Sequence, residues 1–232
     1  MKLKAEALSR KYRGKYALQN VSFELGGGDV CLLLGPNGSG KTTLMKLIAG
    51  LVSPGEGRIE LDGEAVGTAT KRRVAYMPTE NYFYNYMTVR DAGKYYADFF
   101  SDFDRSAYEE RAERAELPLG GRIRTLSSGM AAKLRLSLAL SRDADVMMFD
   151  EPINGVDMLT RDWVIGEIAA RRSRDRILLI STHLVEQVEG VANCALFLSH
   201  GELVRAGSLD EVRGGRTLED VYREVYGGGA NA

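Results

Sequence analysis

The chain has 232 residues, enough to bury a full core in a single domain with room for an inserted subdomain. Its 31 Lys and Arg nearly balance 32 Asp and Glu for a net charge of -1, so it lacks the basic field of a nucleic-acid-binding protein, and no nucleic acid is expected as a partner. No apolar run approaches the ~20 residues that span a bilayer and no signal-peptide core opens the chain, so another chain is expected to supply any membrane component.

In chain order, Leu3 to Leu25 holds two alternating segments broken at Arg13-Gly14 and closed by Gly26-Gly27-Gly28, which predicts an antiparallel β layer. The apolar run Val30-Cys31-Leu32-Leu33-Leu34 follows and leads into Gly35-Pro36-Asn37-Gly38-Ser39-Gly40-Lys41-Thr42, which fills the G-x-x-x-x-G-K-[ST] phosphate-loop pattern. That pattern predicts nucleoside triphosphate binding. Glycines let the backbone wrap closely around phosphates, Lys41 adds a mobile positive charge, and Thr42 offers a hydroxyl to Mg²⁺. A helix predicted from Thr42 to Leu51 would point its free N–H groups and positive dipole end at the anion.

Pro54-Gly55-Glu56-Gly57 predicts a turn, Arg58 to Leu61 a strand closed by a hairpin at Asp62-Gly63, and Val74 to Met77 a strand stopped by Pro78. From Tyr82 to about Glu116 aromatic and charged residues mix at helical spacing, Asp91, Tyr95, Asp98, Phe99 and Phe103 among them, as in an inserted helical subdomain. In Lys133 to Leu140 the alternation of Leu134, Leu136, Leu138 and Leu140 fits a strand; wound as a helix, the same residues make two i, i+4 pairs on opposite faces. Val146 to Phe149, Ile177 to Ile180 and Ala195 to Leu198 are near-continuous apolar runs, the mark of strands buried on both faces of a largely parallel sheet. The two cysteines, Cys31 and Cys194, lie in such runs and read as core thiols in a reducing, cytoplasmic setting. The arginines at 171, 172, 174 and 176 read as a solvated helix end, His200 as an exposed turn residue, and 227–232 as a flexible tail.

Phe149-Asp150-Glu151 ends a buried strand with two carboxylates, where a phosphate-loop fold needs acids facing Mg²⁺ and the attacking water. Asp150 is the candidate metal ligand and Glu151 the candidate general base. His183 also follows a buried strand and can reach the same sheet edge.

Leu126-Ser127-Ser128-Gly129-Met130 upstream of Asp150-Glu151, then Asn154-Gly155-Val156-Asp157 and Thr182-His183, resemble in order and spacing the ATP-binding subunit of an ABC transporter, over residues 2 to 226. The resemblance implies an α/β fold: a phosphate-loop NTPase core (1–80 and 141–226) with a mainly parallel sheet, an N-terminal antiparallel β layer, and a helical subdomain (81–140). It implies ATP and Mg²⁺ as cofactors. Gly35, Asn37, Gly38, Ser39, Gly40, Lys41, Thr42 and Thr43 would bind ATP and Tyr12 would stack on adenine; Glu151 and His183 would be catalytic. Ser127, Ser128 and Gly129 would be the signature motif, gripping the γ-phosphate of ATP on a second subunit and making 128 to 142 a helix, and Asp157 would lie in the subunit-contact loop. Partners would be a second ATP-binding subunit and an integral membrane subunit docking near Tyr82, Phe83, Tyr84 and Tyr86, on the cytoplasmic face of the cell membrane. Thr217 to Tyr222 is similar to the tails of exporter ATPases, which favours export.

Two departures stand out. Thr79 replaces the usual Gln, so either Glu80 takes over the metal contact or the loop keeps only a coupling role; the signature carries Ser128 and Met130 where Gly and Gln are commonest. The alternatives are a soluble ATPase of this family that works on cytosolic partners, such as the iron–sulfur assembly type, and a module that binds ATP without turnover.

Overall fold

The computed structural model describes residues 1–227. β1 (Lys2–Tyr12) and β2 (Lys15–Gly26) form an antiparallel hairpin about Arg13-Gly14. β3 (Val30–Leu34) runs into the phosphate loop and α1 (Lys41–Ile48), followed by β4 (Glu56–Leu61), the two-residue β5 (Glu64–Ala65) and β6 (Val74–Met77). α2 (Val89–Phe99), α3 (Arg105–Arg114) and α4 (Ser128–Leu140) come next. The chain then alternates β7 (Val146–Asp150), α5 (Met158–Ala169), β8 (Ile177–Thr182), α6 (Val185–Val188), β9 (Cys194–Ser199), β10 (Glu202–Ser208), α7 (Leu209–Arg213) and α8 (Leu218–Gly227).

Two sheets result: β2-β1-β4-β5, antiparallel, and β10-β9-β3-β8-β7-β6, parallel except for β10. The strand period of two sorts residues of the parallel sheet between two cores. Cys31, Leu33, Val146, Met148, Ile177 and Leu179 join α1 and the antiparallel sheet in one; Leu32, Leu34, Met147, Phe149, Leu178 and Ile180 join α4, α5, α7 and α8 in the other. α1 is thus sandwiched between the sheets with its N-terminus at the end of β3. It stops at Ile48, earlier than its sequence suggests, because Gly50 turns left-handed at φ +66.

A third core gathers α2, α3 and α4 around Tyr96, Phe103 and Tyr108. α4 is a helix with two faces: Leu134 and Leu138 enter this third core while Leu136 and Leu140 enter the one beneath the parallel sheet. Two opposed i, i+4 pairs mimic a strand in sequence because both faces are covered.

Other details depart from expectation. The arginines of 171–176 lie beyond α5 and are not uniformly solvated: Arg176 pairs with Asp143 and donates to the Ala144 carbonyl at 2.8 Å. Burial, then the charges of Arg111 and Arg176, pushes the Arg171 pKa down to about 10. Phe103 sits past the end of α2, and Tyr95 and Phe99 pack on each other on its exposed side. Gly227 closes α8, and the rest of the expected tail, 228–232, lies outside the described residues. Cys31 and Cys194 are free thiols facing each other on β3 and β9.

Candidate active site

The phosphate loop turns sharply out of β3. At Gly35, φ is +157 and a Cβ would stand 2.4 Å from the Leu198 carbonyl oxygen; at Gly40, φ is +109 and a Cβ would stand 2.6 Å from the Ala17 oxygen. Only glycine fits either position. Gly40 caps α1 with no side-chain hydrogen bond, so the first N–H groups of that helix are left to face the loop. They border a cavity of about 380 Å³ lined by Asn37, Gly38, Ser39, Gly40, Lys41, Thr42 and Thr43, with Ala17, Thr79, Glu80, Glu151 and Asn154 completing the wall.

β7 carries Asp150 to the same edge, since parallel strands end together. The Asp150 carboxylate is 1% exposed and accepts three hydroxyls: Thr42 Oγ1 at 2.9 Å and Tyr76 at 3.1 Å on Oδ2, and Ser181 Oγ at 2.6 Å on Oδ1. Thr79 Oγ1 donates to the Asp150 carbonyl oxygen at 3.0 Å. Burial, then the Asp150 charge, drives the Tyr76 phenol well above its ordinary range and keeps it a donor.

Glu151 adopts a left-handed backbone, φ +49, and its N–H donates to both the Ser181 carbonyl at 3.1 Å and Ser181 Oγ at 3.0 Å. Its carboxylate is gripped on both sides. Lys41 Nζ stands 3.3 Å from Oε1, and His183 Nδ1 donates to Oε2 at 3.0 Å. Lys41 also donates to the Gly35 carbonyl at 2.8 Å, so the lysine is hydrogen-bonded to the loop and ion-paired with the acid. His183 is partly exposed beside a second cavity of about 310 Å³ walled by α8 residues Glu219, Tyr222 and Arg223.

The other predicted residues lie apart from this cluster. Ser127 caps α4, its Oγ accepting from the Met130 N–H at 3.2 Å, and Ser128 is exposed. Gly129 is buried, with room for a Cβ only at 3.0 Å from Thr160 Oγ1 and 3.5 Å from Asp157 Oδ2. Asp157 caps α5, accepting from the Thr160 N–H at 2.9 Å, and that bond holds its carboxyl below the ordinary range. Tyr12 sits at the hairpin end with the Arg10 guanidinium 5.0 Å from its ring centre, outside the cavity wall. Among the aromatic patch, Tyr82 bonds the Tyr96 hydroxyl while Tyr84 and Tyr86 stack exposed.

Sequence reasoning missed Tyr76 and Ser181, both on Asp150. Ser181 carries a faint signal, a hydroxyl next to Thr182 at the end of an apolar run; Tyr76 has none, since an aromatic in a strand reads as core.

A phosphate loop at the end of one parallel strand, two acids at the end of another and a helix N-terminus between them define a nucleoside triphosphate-binding α/β protein. Residues 18–154 match the family described as ABC transporter. The "Uncharacterized ABC transporter ATP-binding protein sll0415" of Synechocystis is 32% identical over 92% of this chain and 62% of its own length. The "ABC transporter ATP-binding protein YtrB" of Bacillus subtilis is 32% identical over 89% of this chain and 72% of its own. A solved "Structure of ATP binding subunit of ABC transporter" superposes with a TM-score of 0.85 at 26% identity, covering 97% of this chain and 99% of that one. The chain belongs to the ABC transporter family, as an ATP-binding ATPase domain; it spans less than two thirds of the cyanobacterial relative.

Proposed function

We propose that residues 1–226 form one ATPase domain, with 81–140 as its helical subdomain, that drives transport through a separate integral membrane subunit. ATP phosphates would lie in the phosphate-loop cavity against Lys41 and the N–H groups of residues 38–43, with Tyr12 closing on the adenine. The observation that carries the reading is the grip of Lys41 and His183 on Glu151. A carboxylate held between these groups is oriented to take a proton from a water attacking the γ-phosphate, and His183 fixes its second oxygen. The buried Ser39 Oγ has no hydrogen-bond partner among the described residues, as expected of a group awaiting a polar ligand.

The donor set fits Mg²⁺. The buried Asp150 carboxylate stands 2.9 Å from the Thr42 hydroxyl at the phosphate-loop cavity, and Mg²⁺ is typically held by one or two carboxylates together with substrate phosphates. Asp150 and the Thr42 hydroxyl would hold it, with Glu80 on the same cavity wall as a further candidate. Bound there, Mg²⁺ would neutralise charge on the phosphate oxygens.

Ser127, Ser128 and Gly129 lie away from this domain's own phosphate loop, which supports their use on ATP held by a second subunit, with Asp157 in the contact between the two. No helix among the described residues is long and apolar enough to cross a membrane, in keeping with a peripheral subunit on the cytoplasmic face. The similarity of the tail to exporter ATPases supports export. Glu151→Gln tests the central assignment: ATP binding should persist while phosphate release falls roughly 10²-fold or more, the scale for losing a general base. Unchanged turnover would remove Glu151 from the role, and co-purification with an integral membrane protein checks the partner.

A further inference from the structure

α8 reaches the phosphate-loop end of the parallel sheet through one side chain. The Tyr226 hydroxyl stands 3.1 Å from the Leu34 carbonyl oxygen and 3.0 Å from that of Leu198, so one phenol proton serves the last residue of β3 and the neighbouring strand β9. The ring is held firmly. It stacks on Phe197, with 6.2 Å between ring centres and 19° between planes, and Tyr222 packs on it at 4.6 Å. Burial, then the neighbouring Tyr222, raises the phenol above its ordinary range and keeps it a donor. α8 is itself anchored by Leu218 and Val221, both buried with Phe197 in the core beneath the parallel sheet.

These two carbonyls mark the point where the loop leaves β3. The Leu34 carbonyl belongs to the peptide that joins Gly35, and the Leu198 oxygen is the atom that a Gly35 Cβ would meet at 2.4 Å. Gly35 has no side chain to hold its place, yet its own carbonyl accepts Lys41 Nζ at 2.8 Å. Rotation of the Leu34–Gly35 peptide would carry that carbonyl away from the lysine, and a hydrogen bond on the Leu34 oxygen opposes the rotation. Further along the loop, the turn between β9 and β10 braces it in the same manner, the Gly201 N–H donating to the Ser39 carbonyl at 3.0 Å.

We propose that Tyr226 is a positioning residue for the phosphate loop, which through Leu34 and Gly35 sets the place of Lys41 and with it the affinity of the loop for phosphates. The proposal rests on the reading of this loop as the site of the ATP phosphates. Tyr226 does not line the phosphate-loop cavity, so it acts through the backbone and not by touching nucleotide. The last helix described in the chain thus takes part in holding a loop that begins near residue 35.

The test is the binding of trinitrophenyl-ATP and trinitrophenyl-AMP, a fluorescent pair that differs in the number of phosphates and needs no turnover. Tyr226→Phe keeps the stacked ring and deletes the hydroxyl. Affinity for the ATP analogue should fall about three- to tenfold, the scale of one net hydrogen bond, while affinity for the AMP analogue should stay within about twofold of wild type. A loss that grows with the number of phosphates belongs to the loop; a general loosening of the fold would not distinguish the two ligands. Val221→Ala supplies the comparison, since it removes buried packing from α8 and leaves the hydroxyl in place. It should lower the denaturant midpoint and leave both affinities within about twofold of wild type. An ATP-analogue affinity unchanged in Tyr226→Phe overturns the proposal, as does an equal loss for both analogues. The same phosphate-dependent loss in Val221→Ala assigns the effect to the packing of α8 and overturns the role of the hydroxyl. A wild-type protein that binds the ATP analogue no more tightly than the AMP analogue overturns the reading of the loop and this inference with it, whereas tight wild-type binding that Tyr226→Phe leaves intact overturns this inference alone.

Discussion

Glu151 holds a left-handed backbone that costs a non-glycine residue about 1–3 kcal/mol, and the double hydrogen bond from its N–H to Ser181 is what keeps it there. The strain aims the carboxylate between Lys41 and His183 instead of along the strand. That an acid stands at this sheet edge beside the phosphate loop was legible in the acid pair itself; its contact with His183 was implied only by the family resemblance, and its contact with Lys41 was not read. Tyr76 and Ser181 were not legible, since a hydroxyl inside a buried strand declares its partner only when the neighbouring strands are in register. Thr79 and Glu80 fall between these cases. Thr79 is tied to the Asp150 main chain, while Glu80 is exposed on the cavity wall with Lys41 and Thr42. With Thr79 too short and already bonded, we propose Glu80 as the side chain of this loop that contacts Mg²⁺, the alternative being a coupling role only. Glu80→Ala should therefore raise the Mg²⁺ requirement of ATP hydrolysis and slow it, and Thr79→Gln in the same chain should restore part of the loss. Overlapping Mg²⁺ series for Glu80→Ala and wild type would leave the loop a coupling role only.

Among the elements, the parallel strands were the most legible and α4 the least. A strand covered on both faces must be apolar throughout, so β7, β8 and β9 could be read as runs; a helix covered on both faces alternates just as a strand does, and α4 needed the adjacent signature residues to be read at all. Glycines within helices show the limit of propensity. Gly93 lies inside α2, where alanine would ordinarily be favoured by up to about 1 kcal/mol. Here a Cβ would stand 2.3 Å from Cε1 of Tyr108, whose ring is 1% exposed and whose hydroxyl donates to the Val89 carbonyl at 2.6 Å. That ring is pinned at its tip and packed around its edge, so it cannot yield cheaply, and overpacking of this kind costs roughly 1–3 kcal/mol. Packing should win: Gly93→Ala is expected to lower the denaturant midpoint despite the better helix former, and a midpoint above wild type would show that α2 and α3 can slide apart.

At the scale of the whole molecule, the signature end of α4 and the start of α5 form one face of the domain. Gly129 packs against Thr160 and Asp157, and next to them Met158 and Leu159 are 70% and 80% exposed. Neighbouring large apolar side chains left this open beside a proposed ATP-gripping motif suit a surface that a second subunit covers. If the second subunit is another copy of this chain, the proposed dimer uses that face twice, once from each copy, so a charge placed there is counted twice. In a Glu151→Gln background, which should hold ATP without hydrolysing it, ATP is expected to shift the protein from monomer to dimer on gel filtration. Adding Leu159→Asp should return it to monomer by burying two unpaired carboxylates at the contact. The affinity of the monomer for ATP should stay as it was, because Leu159 does not line the phosphate-loop cavity. An ATP-dependent dimer that survives Leu159→Asp unchanged would mean that the two copies meet through some other face.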